Sequence, residues 1–304
     1  MLFHGIYILH DKPKIVALWG DDAWQAVIDS PRKPDIMLWH CAWFQGTALR
    51  MSKLKYKFNQ LKKIGIRPLL VVNTDTEEKY RKLLGIPGFK SSAYVFVDEN
   101  NYVLQKNAKQ YDAVYAAQLK DFKRISLAAG IERLYIMTYK SGAKQWDLHQ
   151  EYPEMKHAFF NSKWINEKEK SMLYSQSEVG LCLSKEEGPM LASLEYLLSG
   201  LPVVSTSSKG GRDQYYENDF CQLVADNPDA VKKGVESIIK RAIDPNEIRE
   251  ITISKLQKDR SKYVNFMCDM VSKYYNIQLE EESLMKKWFT KPADNFVKLK
   301  DYLG

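Results

Sequence analysis

The sequence predicts an α/β protein made of two halves, each with a parallel sheet and crossover helices, followed by a helical tail. Three observations carry this expectation. Short apolar runs alternate with helical patterns over most of the 304 residues, the signature of strand–helix–strand units. A polar stretch with no persistent period, ENNYVLQKNAKQ at 99–110, interrupts the series, which then begins again. Beyond residue 244 the pattern reads as helix to the end of the chain.

In the first half, strands are expected at FHGIYIL (3–9), KIVALW (14–19), DIMLWHCAW (35–43), RPLLVVNT (67–74) and SAYVFVD (92–98). Helices lie between several of them, notably at 46–64 and 75–85. In the second half, strands are expected at 111–118, 133–139, 156–161, 179–184, 202–207 and 221–225. Punctuation supports the helices between them. One ends at Gly200, a C-cap glycine closely followed by Pro202. Another opens at Asn227-Pro228-Asp229, an N-cap with proline at the first helical position and an acid in the first turn. The last stretch, 279–302, is rich in Lys, Leu and Trp. The expected division is 1–104, 105–275 and a C-terminal helix at 276–304 that returns to the first half. Because open parallel sheets bind ligands beyond the carboxyl ends of their strands, charged residues just after strands are the ones to weigh.

Composition sets broad limits. The chain is 45% hydrophobic and 27% charged, enough to bury a sizeable core. No apolar run approaches the roughly 18 residues that cross a membrane. The start, MLFHGIYILHDKPK, has neither a basic n-region nor a small-residue cleavage site, so no signal peptide is expected. Cys41, Cys182, Cys221 and Cys268 lie far apart and fit no metal-ligand spacing. A reduced, cytoplasmic protein is the expectation. The net charge of +7 suits an anionic partner but does not choose among membrane, nucleic acid and phosphorylated ligand.

The stretch SKEEGPMLASLEYLLSGLPVVST, 184–206, holds the chemistry. Glu187 follows a predicted strand, and Gly188-Pro189 is expected to open a helix whose first amides would suit a phosphate. Glu195 lies two turns further, among Leu191, Leu194, Leu197 and Leu198. A buried, unpartnered carboxylate is costly, so Glu195 needs a partner, a wet pocket or a solvated helix face. Spacing leaves these alternatives open.

The string EGPMLASLE, followed by YLLSGLPVVST and the Gly210-Gly211 pair in SKGGRD, resembles the E-x7-E signature of retaining glycosyltransferases of family 4. The order of elements from 111 to about 241 resembles the nucleotide-sugar domain of their GT-B fold, in which two Rossmann-like domains face a cleft. The resemblance implies that Glu195 contacts the ribose of a nucleotide sugar and Glu187 the transferred sugar. It implies that Lys123 and Arg124 meet the diphosphate, with the loop residues Gly188, Pro189, Gly210, Gly211 and Arg212 around the ligand. The family's usual arginine, five residues before Lys123, is replaced here by Gln118. His40, at the end of a first-half strand, matches a histidine that family members place near the sugar.

The activity so implied is transfer from a UDP- or GDP-sugar to a hydroxyl of a glycan or glycolipid, with retention. No D-x-D motif occurs, so the resemblance implies no metal and no other cofactor. Helix 46–64 carries Met51, Leu54, Phe58 and Leu61 on one face and six basic residues around it. It is expected to pack on a sheet and could also approach an anionic membrane surface, making the protein peripheral there. Two alternatives stand beside this reading. One is a nucleotide-sugar-binding protein without activity. The other is a transferase acting on modified DNA, with nucleic acid the less favoured partner.

Overall fold

The computed structural model describes residues 5–138 and 149–303, so the predicted strands at 3–9 and 133–139 extend beyond the described residues. The chain divides into two compact units, Met1–Asp98 with Leu256–Gly304, and Glu99–Lys255. The boundaries therefore fall at 98/99 and 255/256 rather than at 104/105 and 275/276.

The first unit begins with an antiparallel pair, β1 (Gly5–Asp11) and β2 (Lys14–Trp19). Then follow α1 (Asp21–Asp29), β3 (Ile36–His40), α2 (Ala48–Lys63), β4 (Arg67–Val72), α3 (Asp75–Leu83) and β5 (Gly88–Lys90). From β2 to β5 the neighbours pair in parallel. Strand alternation divides the apolar side chains between two cores. Ile6, Val16, Leu18 and Met37 pack in one with Met51, Leu54, Phe58 and Leu61, the expected buried stripe of α2. Tyr7, Ile15, Ala17 and Leu38 pack in the other with Tyr263, Met267 and Trp288 from the C-terminal part of the chain.

One strand expected in this unit is absent for an identifiable reason. SAYVFVD is not a strand but a short 3₁₀ turn over Ala93–Phe96. Its backbone groups find other partners: Ser92 Oγ accepts from the Tyr94 N–H (3.1 Å), and the buried Arg260 guanidinium donates to the Val95 and Val97 carbonyls (2.9 and 2.7 Å). The edge strand is instead β5, where any Cβ on Gly88 would collide with the Leu70 backbone.

The second unit contains β6 (Tyr111–Ala116), β7 (Leu134–Met137), β8 (Phe159–Phe160), α4 (Glu167–Ser175), β9 (Ser177–Cys182) and α5 (Leu191–Leu198). It continues through β10 (Val203–Thr206), β11 (Cys221–Val224), α6 (Pro228–Lys240) and the start of α7 (Pro245–Tyr275). Asn227 caps α6 as expected, accepting from the Ala230 N–H at 2.8 Å. Among the described residues the unit's six strands are all parallel, in the order β11-β10-β9-β6-β7-β8. The direction of winding reverses between β6 and β9, and that is the switch point at which open α/β sheets bind ligands.

After α7 the chain is not helical throughout. Helix α8 (Glu281–Phe289) gives way to β12 (Phe296–Lys298), which pairs antiparallel with β1, and to α9 (Leu299–Leu303). Pro292 and the β-favouring FVK segment end the helical run, and sheet pairing with β1 outweighs the helical reading of 279–302.

Candidate functional site

The two strands flanking the switch point each deliver one ion. Beyond β6 the chain passes the exposed Gln118 and turns through a 3₁₀ segment, Asp121–Lys123. The Tyr115 hydroxyl donates to the Lys123 carbonyl at 2.6 Å and fixes that turn. Lys123 is buried, and its ammonium is ion-paired with Glu187 Oε1 from the loop after β9. The Ser184 hydroxyl donates to the other carboxylate oxygen, Glu187 Oε2, at 2.6 Å. Residues 64 positions apart in sequence thus form one charged pair at the carboxyl edge of the sheet.

The glycine pair and Arg212 shape this loop. Gly210 and Gly211 have φ of 108° and 86°, a region glycine adopts without strain. A Cβ on Gly210 would lie 1.8 Å from the Glu187 carbonyl oxygen, so the close approach it allows is to the carboxylate's own backbone. Arg212 is 1% exposed and donates to the Ser184 carbonyl and hydroxyl, both at 2.7 Å, and to the Thr206 carbonyl at 2.5 Å. It ties the ends of β9 and β10 together. Arg124, in the left-handed region at φ 50°, donates to the Leu183 carbonyl and Thr206 Oγ1 (2.7 Å each) and to Asp226 (2.5 Å). Both guanidinium groups serve the protein's own acceptors, whereas Lys123 shares its charge with the carboxylate at the site.

Gly188 and Pro189 are buried but do not open a helix. Helix α5 begins at Leu191, and its N-cap, Met190, makes no side-chain cap hydrogen bond. Glu195 is buried on α5, so the solvated-face alternative fails. Its partners are internal. Tyr102 Oη lies 2.8 Å from Oε1, Lys170 Nζ 3.2 Å from the same oxygen, and the Tyr174 hydroxyl donates to Oε2 at 2.7 Å. Glu167, at the start of α4, adds a second carboxylate: its Oε2 lies 2.7 Å from Tyr102 Oη and 2.6 Å from Lys170 Nζ. Burial of Glu195 is therefore accounted for without a ligand.

His40 is corrected outright. It is fully buried in the first unit, stacked on Trp19 with ring centroids 4.5 Å apart and bonded to Tyr263 Oη at 3.0 Å. Burial pushes its pKa down to about 3, so it is neutral and enclosed, with no surface for a sugar. Among the described residues no group of three or more His, Cys, Asp or Glu is placed to hold a metal ion. No helix among them is long and apolar enough to cross a membrane.

Sequence reasoning missed Ser184, Tyr102, Lys170 and Tyr174. Ser184 had only its nearness as a signal, three residues before Glu187. Tyr102 had none, because it lies in the stretch without periodicity.

The sequence model of the family described as glycosyl transferases group 1 matches residues 133–255, which include Glu187, Glu195 and the glycine pair. No curated protein matches the sequence. Several solved structures share the fold. TarM is 15% identical, with a TM-score of 0.61 over 83% of this chain and 54% of that one, so this chain spans about half its length. Sucrose-phosphate synthase from Thermosynechococcus elongatus is 14% identical, with a TM-score of 0.57 over 81% of this chain and 69% of that one. Anabaena HepE in complex with UDP is 11% identical, with a TM-score of 0.54 over 89% of this chain and 76% of that one. The likeness is one of fold, and the two-sheet architecture is that of GT-B proteins.

Proposed function

We propose that the protein transfers a sugar, with retention, from a nucleotide-diphosphate sugar to an acceptor hydroxyl. One observation carries the reading: the ion pair of Lys123 and Glu187 lies at the switch point of a fully parallel sheet. The roles follow from the chemistry. When the sugar–phosphate bond breaks, negative charge develops on the leaving diphosphate, and Lys123 is the buried cation beside it. Preorganised donors of this kind are worth about a hundredfold in rate or more. Glu187, held by Ser184 and Gly210, accepts hydrogen bonds from sugar hydroxyls and fixes the anomeric carbon for same-face attack. Glu195 receives the ribose hydroxyls when a tyrosine hydroxyl gives way. No metal is assigned to these roles. HepE is solved with UDP, which makes UDP-sugars the first donors to test, with GDP-sugars next.

A glycan or lipid-linked acceptor fits the first unit best. On α2, Leu49 and Tyr56 are 68% and 67% exposed beside the exposed Lys53, Lys55, Lys62 and Lys63. Such a face suits peripheral contact with an anionic cytoplasmic membrane surface.

The test is a thermal-shift and turnover screen against nucleoside diphosphates and their sugars. A donor present at about 100 times its Kd should stabilise the protein by about 2.7 kcal/mol. Glu187→Ala should abolish transfer yet still bind the nucleoside diphosphate. Stabilisation by none of the donors rejects the reading. The exposed, uncharged Gln118 favours one second reading, a binding protein without activity. Donor binding with no transfer or hydrolysis across a broad acceptor panel would select it.

A further inference from the structure

The carboxylate of Glu195 already carries the hydrogen-bond pattern of a vicinal diol. One phenolic hydroxyl lies on each of its oxygens, Tyr102 at 2.8 Å and Tyr174 at 2.7 Å. The two tyrosines are not equivalent. Tyr174 is fully buried on α4, its ring set edge-on to Tyr196 at 5.0 Å, and its hydroxyl rests on Glu195. Tyr102 belongs to irregular chain, and its oxygen lies between two carboxylates, 2.7 Å from Glu167 and 2.8 Å from Glu195.

A phenol has one hydrogen to donate. Burial, reinforced by the two neighbouring carboxylates, raises the Tyr102 pKa well above its usual value, so that hydrogen stays in place. It can point at Glu195 or at Glu167, and not at both. Lys170 spans the two acceptors, 2.6 Å from Glu167 and 3.2 Å from Glu195, and partly offsets the carboxylate that the hydroxyl leaves. The backbone of Tyr102 does not take part in the choice. Arg249 donates to the carbonyls of Tyr102 and Leu198, and at 3.1 Å to that of Glu99, which pins the segment whatever its side chain does.

We propose that the Tyr102 hydroxyl is a two-position gate on Glu195, turned toward Glu195 in the unliganded protein and toward Glu167 when a ribose diol is bound. The inference rests on the nucleotide-sugar reading above, identifies the tyrosine that gives way as Tyr102, and assigns Tyr102 and Glu167 as positioning residues. Opening needs only rotation of one O–H bond and a small shift of one oxygen. Glu167, whose side chain is 41% exposed, is the resting place that makes opening cheap.

Two substitutions should act with opposite signs. Tyr102→Phe keeps the ring and removes the competitor, so UDP or GDP should bind about 3- to 10-fold more tightly by calorimetric titration. Glu167→Ala removes the resting place and should weaken binding by a similar factor. Both differences should vanish for the 2′,3′-dideoxy diphosphates, which lack the diol. A purely structural role would weaken binding in both variants and make no distinction between sugars. If Tyr102→Phe binds no more tightly, if both variants shift in the same direction, or if the differences persist with the dideoxy ligands, the gate is wrong while the nucleotide reading stands. If the wild-type protein binds no nucleoside diphosphate, both fall together. Should Tyr102→Phe fail to fold, the ribose-dependent loss in Glu167→Ala decides alone.

Discussion

The two units use the same architecture, a six-stranded sheet with helices, and treat buried polar groups differently. In the first, such groups finish local structure. Glu77 caps α3, accepting from the amides of Gln45 (2.7 Å), Asn73 (2.9 Å) and Thr74 (3.0 Å), while Arg260 serves two carbonyls and His40 sits among aromatic rings. In the second, opposite charges meet across separate elements, Lys123 with Glu187 and Lys170 with Glu195, and Glu167 joins Lys170 from one turn earlier on the same helix. A buried ion pair is a poor source of stability compared with apolar packing. Such pairs gather in the second unit, where the proposed function puts its chemistry.

The largest test of that contrast sets Lys123→Met against Trp288→Ala. Each should cost about 3–5 kcal/mol in denaturant unfolding, the first by stranding Glu187 and the second by emptying a core site. Only Lys123→Met should also weaken nucleoside-diphosphate binding. Equal binding defects in both would break the comparison.

A pH series tests the first unit next. The unfolded chain protonates His40 near pH 6.5, whereas the folded one holds it neutral down to about 3. The unfolded state thus binds the extra proton in that window, and stability falls as pH drops, by about 1.4 kcal/mol per unit. The contribution is fully present above pH 6.5 and disappears from the slope in His40→Phe. An unchanged slope in that variant would show that the imidazole is not shielded.

Gly210→Ala should follow, at about 2 kcal/mol by thermal unfolding, because it combines strained φ with a collision at the Glu187 carbonyl. Transfer activity should drop further than stability does. The smallest effect is expected from Tyr196→Phe, about 1 kcal/mol, through loss of the hydroxyl that accepts the Ala116 amide at 2.7 Å beside the switch point.

The sequence made the repeating strands legible because buried parallel strands are written as apolar runs with clear punctuation. Gly200 ends α5 at φ 70° and Asn227 caps α6, as the punctuation implies. What it hid were places where a side chain replaced a sheet partner, as Arg260 does for Val95 and Val97. It also hid a strand made late, since nothing in Phe296–Lys298 announces that β1 lies waiting for it. In the site, residue types near Glu187 could be read, but the partners of charges could not. Arg124 and Arg212 read as ligand contacts, and the carbonyls and Asp226 that they bond could not be read from the sequence. The carboxylate that seemed to require a ligand is satisfied by Tyr102, Lys170 and Tyr174, from chain segments far from it in sequence.

The pairing of β12 with β1 bears on the order in which the molecule can be made. Residues 99–255 form an uninterrupted unit, so that unit has all its strands once the ribosome has passed its last residue. The first unit, begun earlier, lacks an outer strand and the helix bearing Trp288 until residues 281–298 emerge. During that interval β1 has an open edge, and Tyr7, Leu9 and Trp19 lack part of their apolar cover. Domains generally fold as units during synthesis. Here the half begun first is completed after the other, and until then the exposure to aggregation and proteolysis lies in β1 and β2.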